Sequence, residues 1–425
     1  MSLKRELGLL DATMMGLGST ISAGIFVILG PAVEIAGPAV VLSFLFCGII
    51  NIATMLSYCE LGAAMPRVGG EYVYVQSAFG GLPSFITGWF EWSSNIFFGA
   101  LMVLGSTYLL HSITSLNQYA IMGVLVLAFT LINIRGIKSA GTAQTALTLI
   151  LLAIIALFIG AGFTYGFKSN AFEPFMPKGY LGIFVAVAFI FETYLGVEAI
   201  AASQAEIKRP EKTIPRAMIL SSVTLIFVYT LVAFVAIGIV SPAVLISSLT
   251  PLSLVAETTM GNAGVILITF AGLIAAFTSL NSAMIASSRA ACAMGYYGHF
   301  PRCLRKVHGV FGTPYLALLF GSIFILALSM VDNLEFIVYS INFGFLIGFA
   351  LVNLSLIKLR RSKPEMNRPF KTPLYPLGPI TGIATSIGLL AFFNFRSLAF
   401  GAVWCLLGCL IYFCRRRHRD STHSS

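Results

Sequence analysis

Charged side chains are scarce in this sequence of 425 residues. Only 10% are Asp, Glu, Lys or Arg, whereas a soluble domain carries about 25%. Hydrophobic residues make up 58% of the chain. A water-soluble protein could not hide that much apolar surface, because its outside must still contact water. The scarcity of charge therefore excludes an ordinary soluble protein and indicates an integral membrane protein.

Motifs of enzymes and pumps are also missing. The five histidines lie in or beside predicted loops, and the sequence has no HExxH or GxSxG pattern and no Walker lysine motif. The seven cysteines form no disulfide ladder. Cys405 and Cys409 share a helix face with no further metal ligand nearby, so we expect packing residues. We therefore expect no enzyme, no ATP-driven pump, no cofactor and no metal.

Long apolar segments divide the chain into about twelve predicted transmembrane helices. A spanning helix needs roughly 20 mainly apolar residues, and these segments lack the alternating polarity of barrel strands. An open sheet could not satisfy its edges in lipid, so we predict an all-α membrane protein. The segments are 11–35, 38–64, 82–110, 117–134, 139–163, 180–203, 215–240, 262–290, 313–331, 334–357, 374–394 and 397–414.

Positive charge lies almost entirely on one side of these helices. With the amino terminus inside, the outer loops hold only Lys168, Lys178 and Arg396. Lys and Arg concentrate on the cytoplasmic side of membrane proteins, so we predict a multi-pass protein of the plasma membrane with both termini in the cytoplasm. The basic tail at 415–419 is typical of contact with anionic lipid, and nucleic-acid binding is the weaker alternative.

Two of the predicted helices carry unusual residues. The sixth holds Glu192 and Glu198 near the bilayer middle, where an ionisable group normally faces a cavity or a partner. Small and polar residues crowd the first, which favours either close helix packing or an interruption: Gly16, Gly18, Ser19, Thr20, Ser22, Ala23 and Gly24.

Helices one and six are five apart, as equivalent positions of an inverted repeat of five plus five helices would be. We therefore predict a first repeat at 1–163, a second at 164–357, two extra helices at 358–414 and a cytoplasmic tail at 415–425. Where such helices unwind, free amides favour an anion and free carbonyls favour a cation. A pair of broken helices can thus bind an amino-acid zwitterion.

Six motifs follow one another along nearly the whole chain and resemble those of the amino acid–polyamine–organocation (APC) transporter superfamily. They are LKRELGLLDATMMGLGSTISAGIF at 3–26, PRVGGEYVY at 66–74, NIRGIK at 133–138, GVE at 196–198 with its exit through Glu206, Pro210 and Pro215, SSR at 287–289 with GTP at 312–314, and RPFK at 368–371.

The resemblance implies the LeuT-type fold, alternating access and an amino-acid substrate. It implies that the ligand carboxylate meets amides around Ala23 and Gly24, and that its ammonium meets carbonyls of Thr20, Glu192 and Leu195. The implied binding residues are Thr20, Ile21, Ser22, Ala23, Gly24, Phe191, Glu192, Leu195 and Gly196.

Three positions depart from the family pattern. Ser22 replaces a more usual glycine, and Glu192 stands where many members have an aromatic gate. Glu192 could attract a cationic side chain, carry a proton or hydrogen-bond to a neighbour such as Thr193. Leu151 occupies the position of a lysine in proton-coupled members, which favours exchange, or coupling through a glutamate.

Other candidates for coupling or gating each have a structural alternative. Glu91 could pair with a loop cation, and Glu198 could accept a hydrogen bond that steadies the break. Tyr194 and Asn281 could line the pocket or pack in the core. Arg67 and Glu206 are interpreted as an inner latch or as solvated loop charges.

We therefore predict a secondary active transporter of neutral amino acids that works by alternating access, with exchange favoured. The alternatives are a cationic amino acid or polyamine transporter, a proton-coupled symporter using an intramembrane glutamate, and a membrane receptor. The partners predicted are a small amino acid and the lipid bilayer. The oligomeric state stays open, a homo-oligomer included.

Overall fold

The computed structural model describes residues 7–65, 70–135, 141–168, 170–203 and 207–423, and these ranges are almost entirely helical. Three 3₁₀ turns (Gly37–Ala39, Phe191–Tyr194 and Arg302–Arg305) and one isolated bridge between Leu7 and Ile207 complete the regular structure. The helices are α1 (Leu9–Thr20), α2 (Ala23–Ala36), α3 (Val40–Ala64), α4 (Gly70–Ala78), α5 (Gly81–Thr114), α6 (Gln118–Arg135), α7 (Gly141–Tyr165), α8 (Gly179–Ile190), α9 (Ala199–Ala202), α10 (Pro210–Ile239), α11 (Pro242–Ser247), α12 (Pro251–Tyr296), α13 (Tyr315–Ser329), α14 (Leu334–Ser362), α15 (Leu377–Leu390) and α16 (Phe395–His423).

The prediction of an all-α membrane protein is confirmed. Within the described ranges, nine helical stretches are long and apolar enough to cross a membrane, and α13 and α15 are apolar but shorter, with 15 and 14 residues. All twelve predicted segments fall on helices, but twelve crossings and the five-plus-five repeat stay predictions. Two short helices, α4 and α11, were not predicted, and α12 begins earlier than predicted because it continues through a kink at Gly261.

The first predicted helix is interrupted after Thr20. Ile21 and Ser22 have extended backbone angles, and a new helix begins at Ala23. The Ser22 hydroxyl accepts a hydrogen bond of 3.0 Å from the Gly24 amide, which is the role of a helix N-cap. The interruption therefore has a local cause, since Ser22 offers the second helix a starting point.

The sixth predicted helix is interrupted between Ile190 and Ala199. A 3₁₀ turn covers Phe191–Tyr194, and Gly196 then has φ of +129°, a region that side chains with a Cβ rarely adopt. Distant amides satisfy the carbonyls that the break frees. Asn342 Nδ2 donates to the carbonyls of Ala188 and Phe189 at 2.9 Å, and Asn51 Nδ2 donates to that of Tyr194 at 3.2 Å.

The two interruptions touch each other. A Cβ at Gly196 would lie 2.6 Å from the carbonyl oxygen of Ser19 and 2.7 Å from the amide nitrogen of Thr20. The Tyr229 hydroxyl of α10 donates to the Thr20 carbonyl at 3.1 Å. Around them, α3 packs against α10, and α5 packs against α12 and α14. The breaks therefore meet in the interior of the helix bundle.

A buried ion-pair cluster ties α3 to the end of α14 and the following loop. The Glu60 side chain is 0% exposed and accepts from Arg360 Nε at 2.8 Å, from Arg360 Nη2 at 2.5 Å and from the Thr372 amide at 2.7 Å. Arg368 Nε adds a salt bridge of 3.4 Å. The RPFK motif thus supplies one of the cations that neutralise Glu60.

Candidate substrate-binding site

The predicted binding residues at both breaks are buried, except Gly196, which is half-buried. Thr20, Ile21, Ala23 and Glu192 are 0% exposed, and Phe191 and Leu195 are 2% exposed. The Gly24 amide is already bonded to Ser22. Backbone groups of both breaks are therefore shielded from bulk solvent, as a site for a small dipolar solute requires.

Glu192 is buried without a hydrogen-bond partner. Neither of its carboxylate oxygens is bonded to any residue of the described ranges. Thr193, the neighbour expected as one alternative, donates instead to the Ile190 carbonyl at 2.7 Å. The carboxyl lies against the first turn of α2, where a Cβ at Gly24 would collide with Oε1. Hydrogen bonding to Thr193 therefore does not explain the presence of a carboxyl group at position 192.

A cavity of about 140 Å³ lies next to the break in the sixth helix. About 10–15 Å³ of such volume holds one water, so the cavity has room for roughly ten waters or one small solute. Its polar wall consists of Ser19, Tyr58, Glu71, Glu91, Asn95, Glu198 and Ser282, and its other lining residues are Gly70, Phe98, Leu195, Gly196, Ala199, Ala283, Ala286 and Phe345.

Three carboxylates from different elements line this cavity, and the described residues of its lining include no Lys, Arg or His. Both oxygens of Glu198 are 2.9 Å from the Gly196 amide, which donates to them. The structural role expected as one alternative for Glu198, steadying the break, is therefore present. Glu91 forms no salt bridge with any cation that the structure describes, so the expected pairing with a loop cation is not seen.

Two further candidates lie beside the cavity without lining it. The Tyr194 hydroxyl donates to the Phe44 carbonyl at 2.6 Å, which joins the break to α3. Asn281 Oδ1 accepts from Asn133 Nδ2 at 2.9 Å, which joins α12 to α6. In this structure both side chains connect helices. Arg67 and Glu206, the predicted latch, lie outside the described residues.

Sequence reasoning missed Glu71 and Asn95. Glu71 belongs to the PRVGGEYVY motif but sits on the short helix α4, which was not predicted. Its presence next to a glycine pair in an otherwise apolar chain was the available signal. Asn95 lies one helical turn after Glu91 and donates to its carbonyl at 2.7 Å. Over the same described ranges, no group of three or more His, Cys, Asp or Glu side chains is arranged to hold a metal ion.

Comparison with known proteins agrees with the resemblance seen in the motifs. The model of the "Amino acid permease" family matches residues 7–413. The branched-chain amino acid permease BcaP of Bacillus subtilis is 30% identical, over 97% of this chain and 93% of the relative. The methylthioribose transporter of the same organism is 28% identical over the same shares, and cationic amino acid transporter 7, chloroplastic, of Arabidopsis thaliana is 27% identical over 95% of this chain and 71% of the relative. The chain belongs to the amino acid permease family of the APC superfamily.

Proposed function

We propose that the protein is a secondary active transporter of neutral amino acids that works by alternating access and favours exchange. The observation that supports this most is the meeting of two interrupted helices at Gly196 and Ser19, beside a cavity sized for one small solute. Peptide groups that the interrupted helices no longer pair can bind both charges of a zwitterion without any ionised side chain.

The ammonium would bind carbonyls at the ends of the helical pieces that precede the two breaks. The Thr20 carbonyl already accepts from Tyr229, and the Glu192 carbonyl accepts from the Leu195 amide at 3.1 Å. A carbonyl has two lone pairs, so each can accept a second hydrogen bond from the ligand. The ligand carboxylate would lie at the first turn of α2, at Ala23 and Gly24, where the helix dipole favours negative charge.

The apolar part of the cavity suits an aliphatic side chain. Phe98, Leu195, Ala283, Ala286 and Phe345 form this part of the wall. The name of the relative BcaP agrees with a branched-chain substrate. The methylthioribose transporter, however, has nearly the same identity to this chain, so substrate choice has to be measured.

A second candidate function is supported by the carboxylates of the cavity. Glu91 and Glu198 could carry a coupled proton, or attract a cationic amino acid or polyamine, because clustered intramembrane acids need a proton or a cation to offset their charge. Coupling through a lysine of α7 is not proposed, since Leu151 occupies that position and is 1% exposed.

We also propose that the protein resides in the plasma membrane with both termini in the cytoplasm. The distribution of Lys and Arg among the loops supports this orientation. Labelling of single cysteines, introduced at Lys178 and at Arg361 in a cysteine-free variant, tests it. In intact cells an impermeant maleimide should modify the first position and leave the second unmodified. The reverse result would contradict the orientation.

Counterflow into proteoliposomes tests the transport proposal. Vesicles preloaded with unlabelled leucine should accumulate external labelled leucine transiently, and vesicles without preload should not. A thermal-shift screen against the twenty amino acids identifies the ligands, because a ligand that prefers the folded state raises the unfolding temperature. Stabilisation by amino acids without counterflow would instead favour a receptor. Uptake that needs a proton gradient and no preload would favour symport over exchange.

A further inference from the structure

The Glu192 carboxyl occupies the region in which a ligand carboxylate would bind. It is 0% exposed, its two oxygens have no hydrogen-bond partner among the described residues, and Oε1 lies against the α-carbon of Gly24 in the first turn of α2. The chain thus brings its own carboxyl to the amino-terminal end of α2, a 14-residue helix, where partial positive charge favours an anion.

No Lys or Arg side chain that the structure describes forms a salt bridge with this carboxyl. The titratable groups that face it are the Cys47 thiol of α3 and the Tyr229 hydroxyl of α10. Each donates elsewhere: Cys47 Sγ to the Val187 carbonyl at 3.9 Å, and Tyr229 to the Thr20 carbonyl. Every salt bridge within the described part of the chain involves Glu60 instead. With no cation partner among the described residues, a negative charge on Glu192 would have to be balanced by the helix dipole, a proton or a ligand.

Two ionised carboxyl groups cannot share one apolar site without strong repulsion, so one of them takes up a proton or leaves. The proposed ligand carboxylate and Glu192 are such a pair, because both are assigned to the start of α2.

We propose that Glu192 is the resident occupant of the ligand-carboxylate subsite and thereby determines specificity. A zwitterion binds only when Glu192 carries a proton, whereas an amine without a carboxylate meets no such competitor. The inference rests on the proposed function. It adds that each bound amino acid is accompanied by one proton taken up at Glu192.

The direction of the pH effect follows from this proton uptake. Because the ligand-bound form holds one proton more, leucine affinity should fall by up to tenfold for each unit that the pH rises. 3-Methylbutylamine is leucine without its carboxylate, so an ionised Glu192 attracts its ammonium group and does not compete with it. The affinity for this amine should therefore rise with pH or stay constant.

Thermal-shift titrations of the purified full-length protein with leucine and with 3-methylbutylamine, at pH 5.5 to 8.5, test the inference. The variants are Glu192→Gln, which preserves side-chain size, Glu192→Ala, which empties the subsite, and Glu173→Gln, a control in an exposed loop. Wild type and Glu173→Gln should lose leucine affinity with rising pH, and both Glu192 variants should bind leucine equally at every pH. At pH 8.5, Glu192→Ala should bind leucine at least tenfold more tightly than wild type.

A leucine profile that keeps its slope in either folded Glu192 variant overturns the inference alone, because another group then supplies the proton. A flat wild-type profile overturns it as well. Absence of leucine binding in every variant at every pH, together with absence of leucine counterflow, overturns the proposed function and this inference with it.

Discussion

Replacing Gly196 with alanine should disrupt the junction of the two broken helices. A backbone angle of +129° is strained for any residue with a Cβ, at a cost of about 1–3 kcal/mol. The added Cβ would also lie 2.6 Å from the backbone of Ser19, although apolar contacts are most favourable at about 3.5–4.0 Å. Backbone cannot rotate away as a side chain can, so this crowding adds about 1–3 kcal/mol.

The sum, about 2–6 kcal/mol, is a large share of the roughly 5–15 kcal/mol that stabilises a typical folded protein. We expect Gly196→Ala to unfold at a clearly lower temperature than wild type in detergent and to lose counterflow. The control is Gly160→Ala, because a Cβ there meets nothing within 4 Å and the residue lies inside α7. That change should be neutral or stabilising by up to about 1 kcal/mol.

Thermal unfolding is monitored by size-exclusion chromatography of heated samples, and counterflow of each variant is measured in parallel. If Gly196→Ala unfolded at the temperature of Gly160→Ala and transported at the wild-type rate, the close contact between the breaks would be refuted. A variant that folds stably but does not transport would also contradict the energetic part of the reasoning.

Three further changes probe other parts of the site. Tyr229→Phe removes the bond to the Thr20 carbonyl and should cost about 0.5–1.5 kcal/mol, seen as lower thermal stability with transport retained at a reduced rate; unchanged stability would contradict this. Glu60→Gln leaves two guanidinium groups without their buried partner and should destabilise the protein by about 2–4 kcal/mol in a denaturation assay. This is below the full range for deeply buried pairs because Arg360 is partly exposed. Unchanged stability would contradict a stabilising role of the cluster. Glu71→Gln removes one of three like charges in the cavity, so it should raise the unfolding temperature, and by more at pH 8.5 than at pH 5.5. The control Glu173→Gln, on an exposed loop, should leave the unfolding temperature unchanged at both pH values.

The helical architecture could be predicted because the bilayer leaves few choices. A chain that is apolar over such lengths must satisfy its backbone within each segment, so the length of the apolar runs gives the helices. The first interruption was one of two alternatives predicted, since small and polar residues crowd that helix, but the capping role of Ser22 was not predicted. Glu198 could be recognised as a support for the break, because its partner Gly196 is only two residues away.

Contacts between distant parts of the chain could not be predicted in the same way. Asn51 and Asn342 stabilise the sixth-helix break from 143 and 154 residues away, and neither residue type indicates that role by itself. The unpaired state of Glu192 depends equally on which side chains of α2, α3 and α10 surround it. Glu71 joined the cavity only because α4 folds against α5 and α14, and no periodicity in the sequence indicates that packing.

The Glu60 cluster makes the loop after α14 part of the helix bundle. All three groups bound to Glu60, which are Arg360, Arg368 and the Thr372 amide, lie beyond residue 357, where the second repeat is predicted to end. A fragment cut at that point would lose all three, leaving a negative charge in the interior with no counterion from these residues. The segment at 358–372 is therefore needed to neutralise Glu60, and a protein shortened at residue 357 would need a neutral residue at position 60 to fold.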